Sequence, residues 1–429
     1  MQKILIKTFT SILKVILMKV CKFVVLFLLV CVNSFAALPV LDPSIVAGIN
    51  ESYVYIDTTA ELKRFCKKLK EESEIIAVDT EFVRYNKDSY YFPVLCLIQI
   101  ATPEGHNALI DPLARGLDFS ALADIFCDAS KTKVFHAAKT DLELLSRLFG
   151  PVDSFANIWD TQMMALASYG ENDISYKKLV KQTTGLELDK SSQRSNWRQR
   201  PLTDDQRRYA IHDVTYLAHI YPLMREYLEK QGKLCFVEAE IAALRDSATY
   251  ERVSNKTFGK LCKDREIADY DLLRKLALVR NLIARRNDLP PHRIICDDRL
   301  VAMSCSPPIN RKDFISRFRW LTYATDDFMS VIEKHTFVPP VSSPELDMGV
   351  YRTMVSAVKN LLNKTCKDEE IAPMLLFRAC EVDVLVREFL STGNLLSPSP
   401  LMTGWREGLI GADLRSLCRS LSPSPCTAG

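Results

Sequence analysis

Several familiar chemistries are missing from this chain. It has no Cys-x-x-Cys pair, no Gly-rich phosphate loop, no Gly-x-Ser-x-Gly elbow and no His/Cys cluster with zinc-ligand spacing. These absences exclude a zinc ribbon, a phosphate-cradling nucleotide loop and the nucleophile turn of a serine hydrolase. A large charge imbalance is lacking too, because 56 Lys+Arg against 53 Asp+Glu leave only +3 at neutral pH. Any nucleic-acid surface must come from local clustering rather than global basicity. The 13 cysteines are irregularly spaced, and two of them fall within the first 37 residues. That leaves an odd number, which suits reduced structural thiols better than a disulfide framework. What the chain does have is length. Its 429 residues, 48% apolar and 25% charged, allow two or three globular domains with real cores.

The N-terminal stretch stands apart. Lys19 and Lys22 precede an apolar run from Phe23 to Val32, and Ser34-Phe35-Ala36 resembles a small-residue cleavage site. The run is too short to span a bilayer and has the length of a signal-peptide core, so by itself it predicts export. The competing reading is a start further downstream. No methionine occurs between Met18 and Met163, so that start would need another codon.

From Tyr53 onward the pattern is globular. A short strand and a basic amphipathic helix lead into the strand "IIAVDTEF"; "VLCLIQIAT", "ALID" and "KVFHA" read as further strands. "SALADIFCDA", "DLELLSRLFG", "NIWDTQMMALAS" and "SYKKLVKQTTG" read as helices. Strands first and helices later indicate an α/β sheet domain to about Gln231. Beyond it the pattern is helical. Leu272, Leu276, Val279 and Ile283 form one stripe that breaks at Pro290-Pro291, and "VPPVSSPELDM" (338–348) is a Pro/Ser-rich linker before a last helical unit.

The carboxylates carry the chemistry. Asp79 and Glu81 are two apart on a strand and project from one face, an expensive arrangement unless a cation compensates; a solvated strand end is the bland alternative. Asp141 follows an apolar strand and opens a helix, where it either caps the helix or joins a site. In "RRYAIHDVTYL" (207–217), Tyr209 and Asp213 share a helix face, while His212 points elsewhere and reads as a packed or solvated bystander. Four carboxylates, all oxygen ligands, suit two divalent cations, Mg²⁺ or Mn²⁺. Two such ions about 4 Å apart activate water and stabilise the leaving oxygen of a phosphodiester.

"AVDTEF", "VFHAAKTDLELL" and "YAIHDVTYL" resemble the three motifs of the DEDD superfamily of 3′→5′ exonucleases, and Tyr209-x-x-x-Asp213 matches its tyrosine branch. The histidine branch has its His five positions before the last Asp, where this chain has Arg208. "YVYIDTTAEL", "YYFPVLCLIQIA", "WDTQMMA", "LDKSSQRSNWRQRPLTDDQRRYA" and "GWREGLIG" bring the resemblance closer, to bacterial ribonuclease D. It covers about Tyr53 to Cys418, is most specific in the nuclease part, and departs from the family at "ATYERVSNKTFGKLC".

The resemblance implies an α/β ribonuclease H-like exonuclease domain followed by two all-α HRDC-type helical domains. The divisions it suggests are a signal-like or unused extension (1–50), the exonuclease (51–232), a helical linker (233–265), the first HRDC domain (266–337), a linker (338–348) and a second HRDC-like domain (349–422). Asp79, Glu81 and Asp213 would hold the cation that activates water, Asp79 would bridge to a second held by Asp141, and Tyr209 would orient the water. The implied substrates are tRNA precursors and other RNA 3′ ends, trimmed to nucleoside 5′-monophosphates, with no stable protein partner, in a monomer. Lys190, Arg194, Arg198 and Arg200 around Trp197 suit a single-stranded backbone and a stacked base; a solvated charged loop is the plainer reading. Arg285, Arg286, His292 and Arg293 form a candidate phosphate patch, and Phe82, Gln99 and His136 candidate walls. The expected location is the cytoplasm, where RNA precursors and free thiols belong, against the signal-like start. A DNA exonuclease of the same chemistry and a non-catalytic RNA-binding module remain the alternatives.

Overall fold

The computed structural model describes residues 38–84, 91–169, 174–189, 191–251, 255–262, 265, 267–335, 347–392, 395 and 399–421. The nuclease part is built on six strands: β1 (Val54–Ile56), β2 (Ile75–Val83), β3 (Val94–Ala101), β4 (Ala108–Ile110), β5 (Thr132–Phe135) and β6 (Ile158–Asp160). Their order is β1-β4-β3-β2-β5-β6. β2–β3 and β3–β4 are antiparallel, and the other pairs are parallel, so the sheet is mixed. β2 and β3 lie at its centre with near-continuous apolar runs, as strands covered on both faces require. Helix Asp204–Lys230 packs across β2 and β3 on one side. Its start is fixed by a capping box, in which Gln206 N–H donates to Thr203 Oγ1 at 3.2 Å and Thr203 N–H to Gln206 Oε1 at 3.0 Å.

Two expectations change here. "NIWDTQ" does not begin as a helix: Ile158, Trp159 and Asp160 form β6 and pair parallel with β5, and only from Thr161 does a helix run to Tyr169. An edge position against β5, with all three residues buried, outweighs the helical pattern of the residues that follow. Asp141 also does not cap its helix. The helix is Lys139–Phe149 with Ala138 at the N-cap, so Asp141 sits inside the first turn.

The packed body begins before residue 51. Leu38 and Leu41 are buried, Leu41 N–H donates to Thr183 O at 2.7 Å, and Asp42 caps the short helix Pro43–Gly48. Asn107 Nδ2 then binds Asn50 O at 2.6 Å and Ser52 O at 3.0 Å. The expected division at residue 50 therefore cuts through packed chain. The signal-like stretch up to Ala37 and residues 338–346 of the expected linker lie outside the described residues.

The helical remainder forms two units. Leu272, Leu276, Phe314 and Phe328 belong to a separate core spanning Phe258 to Met329, and the stripe read from the sequence is buried in it. Residues from Met354 to Cys418 instead join the same core as the sheet. Ala372 N–H donates to Leu166 O at 2.8 Å, and Trp405 Nε1 and Arg406 Nη1 reach Glu240 at 2.9 and 2.8 Å. Among the described residues, no helix is long and apolar enough to cross a membrane.

Candidate active site

β2 presents opposite faces at alternate residues, so Asp79 and Glu81 point towards helix Asp204–Lys230 while Thr80 points the other way. That helix returns Asp213 to the same place. One carboxylate oxygen from each of Asp79, Glu81 and Asp213 lies within 4.8 Å of the others. Burial first, and Asp213 second, push the Asp79 carboxyl well above the ordinary range. Glu81 is pushed up to about 10, chiefly by burial and then by Asp79, Asp213 and Asp141. Among the described residues, the charges acting on Asp79 and Glu81 are all those of other carboxylates, which raise them. The donor set is all oxygen and closely spaced, which fits a hard divalent cation.

Asp141 stands beside this trio rather than in it. It is 6% exposed and accepts a hydrogen bond from Thr80 Oγ1, across the other face of β2. Burial and the Asp79 charge raise its carboxyl too, against the Thr80 bond. The turn before its helix is set by buried Asp160, which accepts from Ala137 N–H and Ala138 N–H at 2.9 Å each. Ala137 has φ +64°, a left-handed conformation this clamp sustains. Thr80 and Asp160 are positioning residues that the sequence reading passed over. Both lie inside quoted motifs, but only the fold shows which way they face.

Tyr209 leans against the ring of Trp197, with centroids 6.0 Å apart. Burial, then the neighbouring carboxylates led by Asp213, raise its phenol far above the ordinary value, and it hydrogen-bonds Asp213. His212 turns away, and its Nε2 meets Glu51 Oε2 at 3.1 Å while Tyr216 OH donates to Glu51 Oε1 at 2.8 Å. It ties the N-terminal segment to the helix, a role the bystander reading lacked. The His136 ring is held at both nitrogens, with Nδ1 3.0 Å from Thr161 Oγ1 and Nε2 3.0 Å from Ile174 O.

The basic loop requires a correction. Trp197 is 1% exposed and part of the core, with no open face for a base. Arg200 binds Asp111 through Nε and Nη2 at 2.5 and 2.7 Å and Cys96 O at 2.6 Å, so it holds the loop to the sheet. An indole and a guanidinium in a polar loop look alike in sequence whether they face inward or outward. Arg194 and Arg198 are exposed, and Lys190 lies outside the described residues. In the helical patch, Arg285 is likewise committed, to Glu143 Oε1 at 2.6 Å and Tyr250 O at 3.0 Å, and Arg286 faces Asp327. His292 and Arg293 are exposed.

A mixed ribonuclease H-like sheet with acids gathered at β2, and a tyrosine one helical turn before the last of them, defines a 3′→5′ exonuclease. A family model described as 3′-5′ exonuclease matches residues 53–229. Ribonuclease D of Bartonella henselae is 31% identical over 384 residues, covering 85% of this chain and 90% of that protein. Ribonuclease D of Sphingobium indicum is 34% identical over 375 residues, covering 83% and 92%. The crystal structure of Escherichia coli RNase D, described as an exoribonuclease involved in structured RNA processing, superposes with a TM-score of 0.64 at 27% identity, over 86% of this chain and 99% of that one. The chain belongs to the ribonuclease D family and is a 3′→5′ exoribonuclease.

Proposed function

We propose that the protein is a divalent-cation-dependent exoribonuclease that trims the 3′ ends of tRNA precursors and other RNAs in the cytoplasm, releasing nucleoside 5′-monophosphates as a monomer. The observation that carries the cation dependence is the convergence of Asp79, Glu81 and Asp213, where the charges acting on Glu81 among the described residues are all those of other carboxylates. Asp79, Glu81 and Asp213 would hold one Mg²⁺ or Mn²⁺, and Asp79 with Asp141 a second. When bound, the ions supply an acidified water and a stabilised leaving oxygen.

The protein's own groups do the rest. Tyr209 stays protonated, because its surroundings raise its phenol, so it acts as a hydrogen-bond donor that orients the attacking water and not as a base. Thr80 holds Asp141 in place before any substrate arrives. Arg194 and Arg198, both exposed, together with Lys190 would meet the RNA backbone. Residues 266–337 and 349–422 are read as HRDC-type units that widen this surface.

The test incubates the protein with 3′-labelled tRNA precursor and matched single-stranded DNA, with Mg²⁺, with Mn²⁺ and with chelator. The expected outcome is stepwise release of nucleoside 5′-monophosphates from the RNA, abolished by chelator. Equal or faster release from DNA, or release in chelator, overturns the corresponding half of the reading.

A further inference from the structure

Gln99 is fully buried, and among the described residues neither its amide nitrogen nor its amide oxygen has a hydrogen-bond partner. Buried amides in folded proteins are almost always bonded, since an unmade bond forfeits the whole cost of desolvating the group. The sheet register says where this amide lies. Gln99 on β3 is the direct partner of Asp79 on β2, so both side chains leave the same face with Cβ atoms about 4.5–5.5 Å apart. Its neighbours along that row of β3 are Leu97, opposite Glu81, and Ala101, opposite Ala77. Gln99 is the one polar side chain beneath the carboxylates on that row, and helix Asp204–Lys230, which brings Asp213, closes over it.

We infer that Gln99 is a positioning residue for Asp79. In the cation-loaded enzyme its Nε2–H donates to an Asp79 carboxylate oxygen and keeps that carboxylate turned towards Glu81 and Asp213. The inference rests on the proposed cation site. An amide that served the cation-free fold would already have a partner there; this one is reserved for the loaded site. Groups that orient a metal ligand commonly alter affinity or activity by about 10- to 100-fold when removed.

The experiment compares wild type, Gln99→Met, which keeps the length without the amide, and Gln99→Asn, which keeps the amide but shortens its reach. Three quantities are read: the melting temperature in chelator, Mn²⁺ affinity by calorimetry, and kcat and KM on a single-stranded RNA. Gln99→Met is expected to melt in chelator at or above the wild-type temperature, to bind Mn²⁺ about tenfold more weakly, and to lose kcat with KM unchanged. Gln99→Asn is expected to show the same weakened Mn²⁺ binding, which carries the test even if the Met variant fails to fold. Wild-type Mn²⁺ affinity in both variants overturns the inference alone. A loss of melting temperature in chelator by both variants also overturns it, because Gln99 would then have work in the cation-free fold. No Mn²⁺ binding by the wild type overturns both the inference and the cation site it rests on.

Discussion

The two faces of β2 hold acids in opposite ways. On the face towards helix Asp204–Lys230, Asp79, Glu81 and Asp213 crowd together, and burial with mutual repulsion raises the first two. Towards the other face Asp141 is gripped by Thr80, on a helix whose preceding turn Asp160 clamps. The first arrangement is a set of carboxylates that raise one another, which is what the proposed cation would relieve. The second is fixed in place by a hydrogen bond, although burial and the Asp79 charge raise its carboxyl as well. Consecutive residues of one strand can do both because alternate side chains face opposite ways, so Thr80 serves Asp141 while Asp79 and Glu81 face Asp213.

Removing an acid from the crowded face is the most severe way to break the contrast. Asp79→Ala or Asp213→Ala is expected to reduce turnover by at least about a thousandfold, with RNA binding retained, because each removes a ligand of the proposed cation site. Asp141→Ala is expected to abolish turnover as well. Steady-state turnover in Mg²⁺ alongside RNA binding by fluorescence anisotropy checks each variant, and wild-type-like turnover by any of them refutes the shared centre.

Tyr209→Phe follows. It removes one oriented donor while leaving the ring against Trp197, so kcat is expected to fall about 100-fold with little change in RNA affinity. Thr80→Val tests the rigid face alone: it deletes the bond to Asp141 and keeps the side-chain volume. A loss of about tenfold in kcat is expected, with Thr80→Ser restoring most of it. If Thr80→Val matched Asp141→Ala in severity, the fixture would be the more important half of the site.

The crowded face also predicts a pH dependence. Glu81 in the fold holds its proton to about 10, against an ordinary value of 4.5. As pH rises between those values, the unfolded chain sheds a proton that the cation-free fold retains, so unfolding becomes more favourable. Melting temperature in chelator is expected to fall from about pH 5 to about pH 9, and the stabilisation by added Mg²⁺ to grow over the same range. A flat profile in chelator would mean that the acids are balanced from within. His212→Ala is the smallest effect. It loses a half-exposed contact to Glu51 worth about 0–1 kcal/mol and should leave turnover near wild type in the same assay.

How much of this could be read beforehand varied with residue type. The Asp79–Glu81 pair was legible because two acids on an apolar strand are costly and a period of two fixes their common face. Tyr209 and Asp213 were legible because a helix puts them one turn apart. Trp197 and Arg200 were misread because basic and aromatic residues in a polar loop carry no periodicity, and nothing local says that Asp111 waits for the arginine. Trp159 was misread for a different reason: β6 is three residues long and exists through its pairing with β5.

The sequence by itself determined the acids, their spacing, the apolar strands that carry them and the helical character of everything after the sheet. These follow from local rules, since strand and helix periods act over a few residues. Only the tertiary structure decided that the second helical unit shares the nuclease core while the first keeps its own, that Leu38 and Leu41 belong to the packed body, and that Gln99 lies beneath Asp79 with no partner among the described residues. Those outcomes depend on which distant surfaces meet, and burial and strand register are set by contacts between segments far apart in the chain.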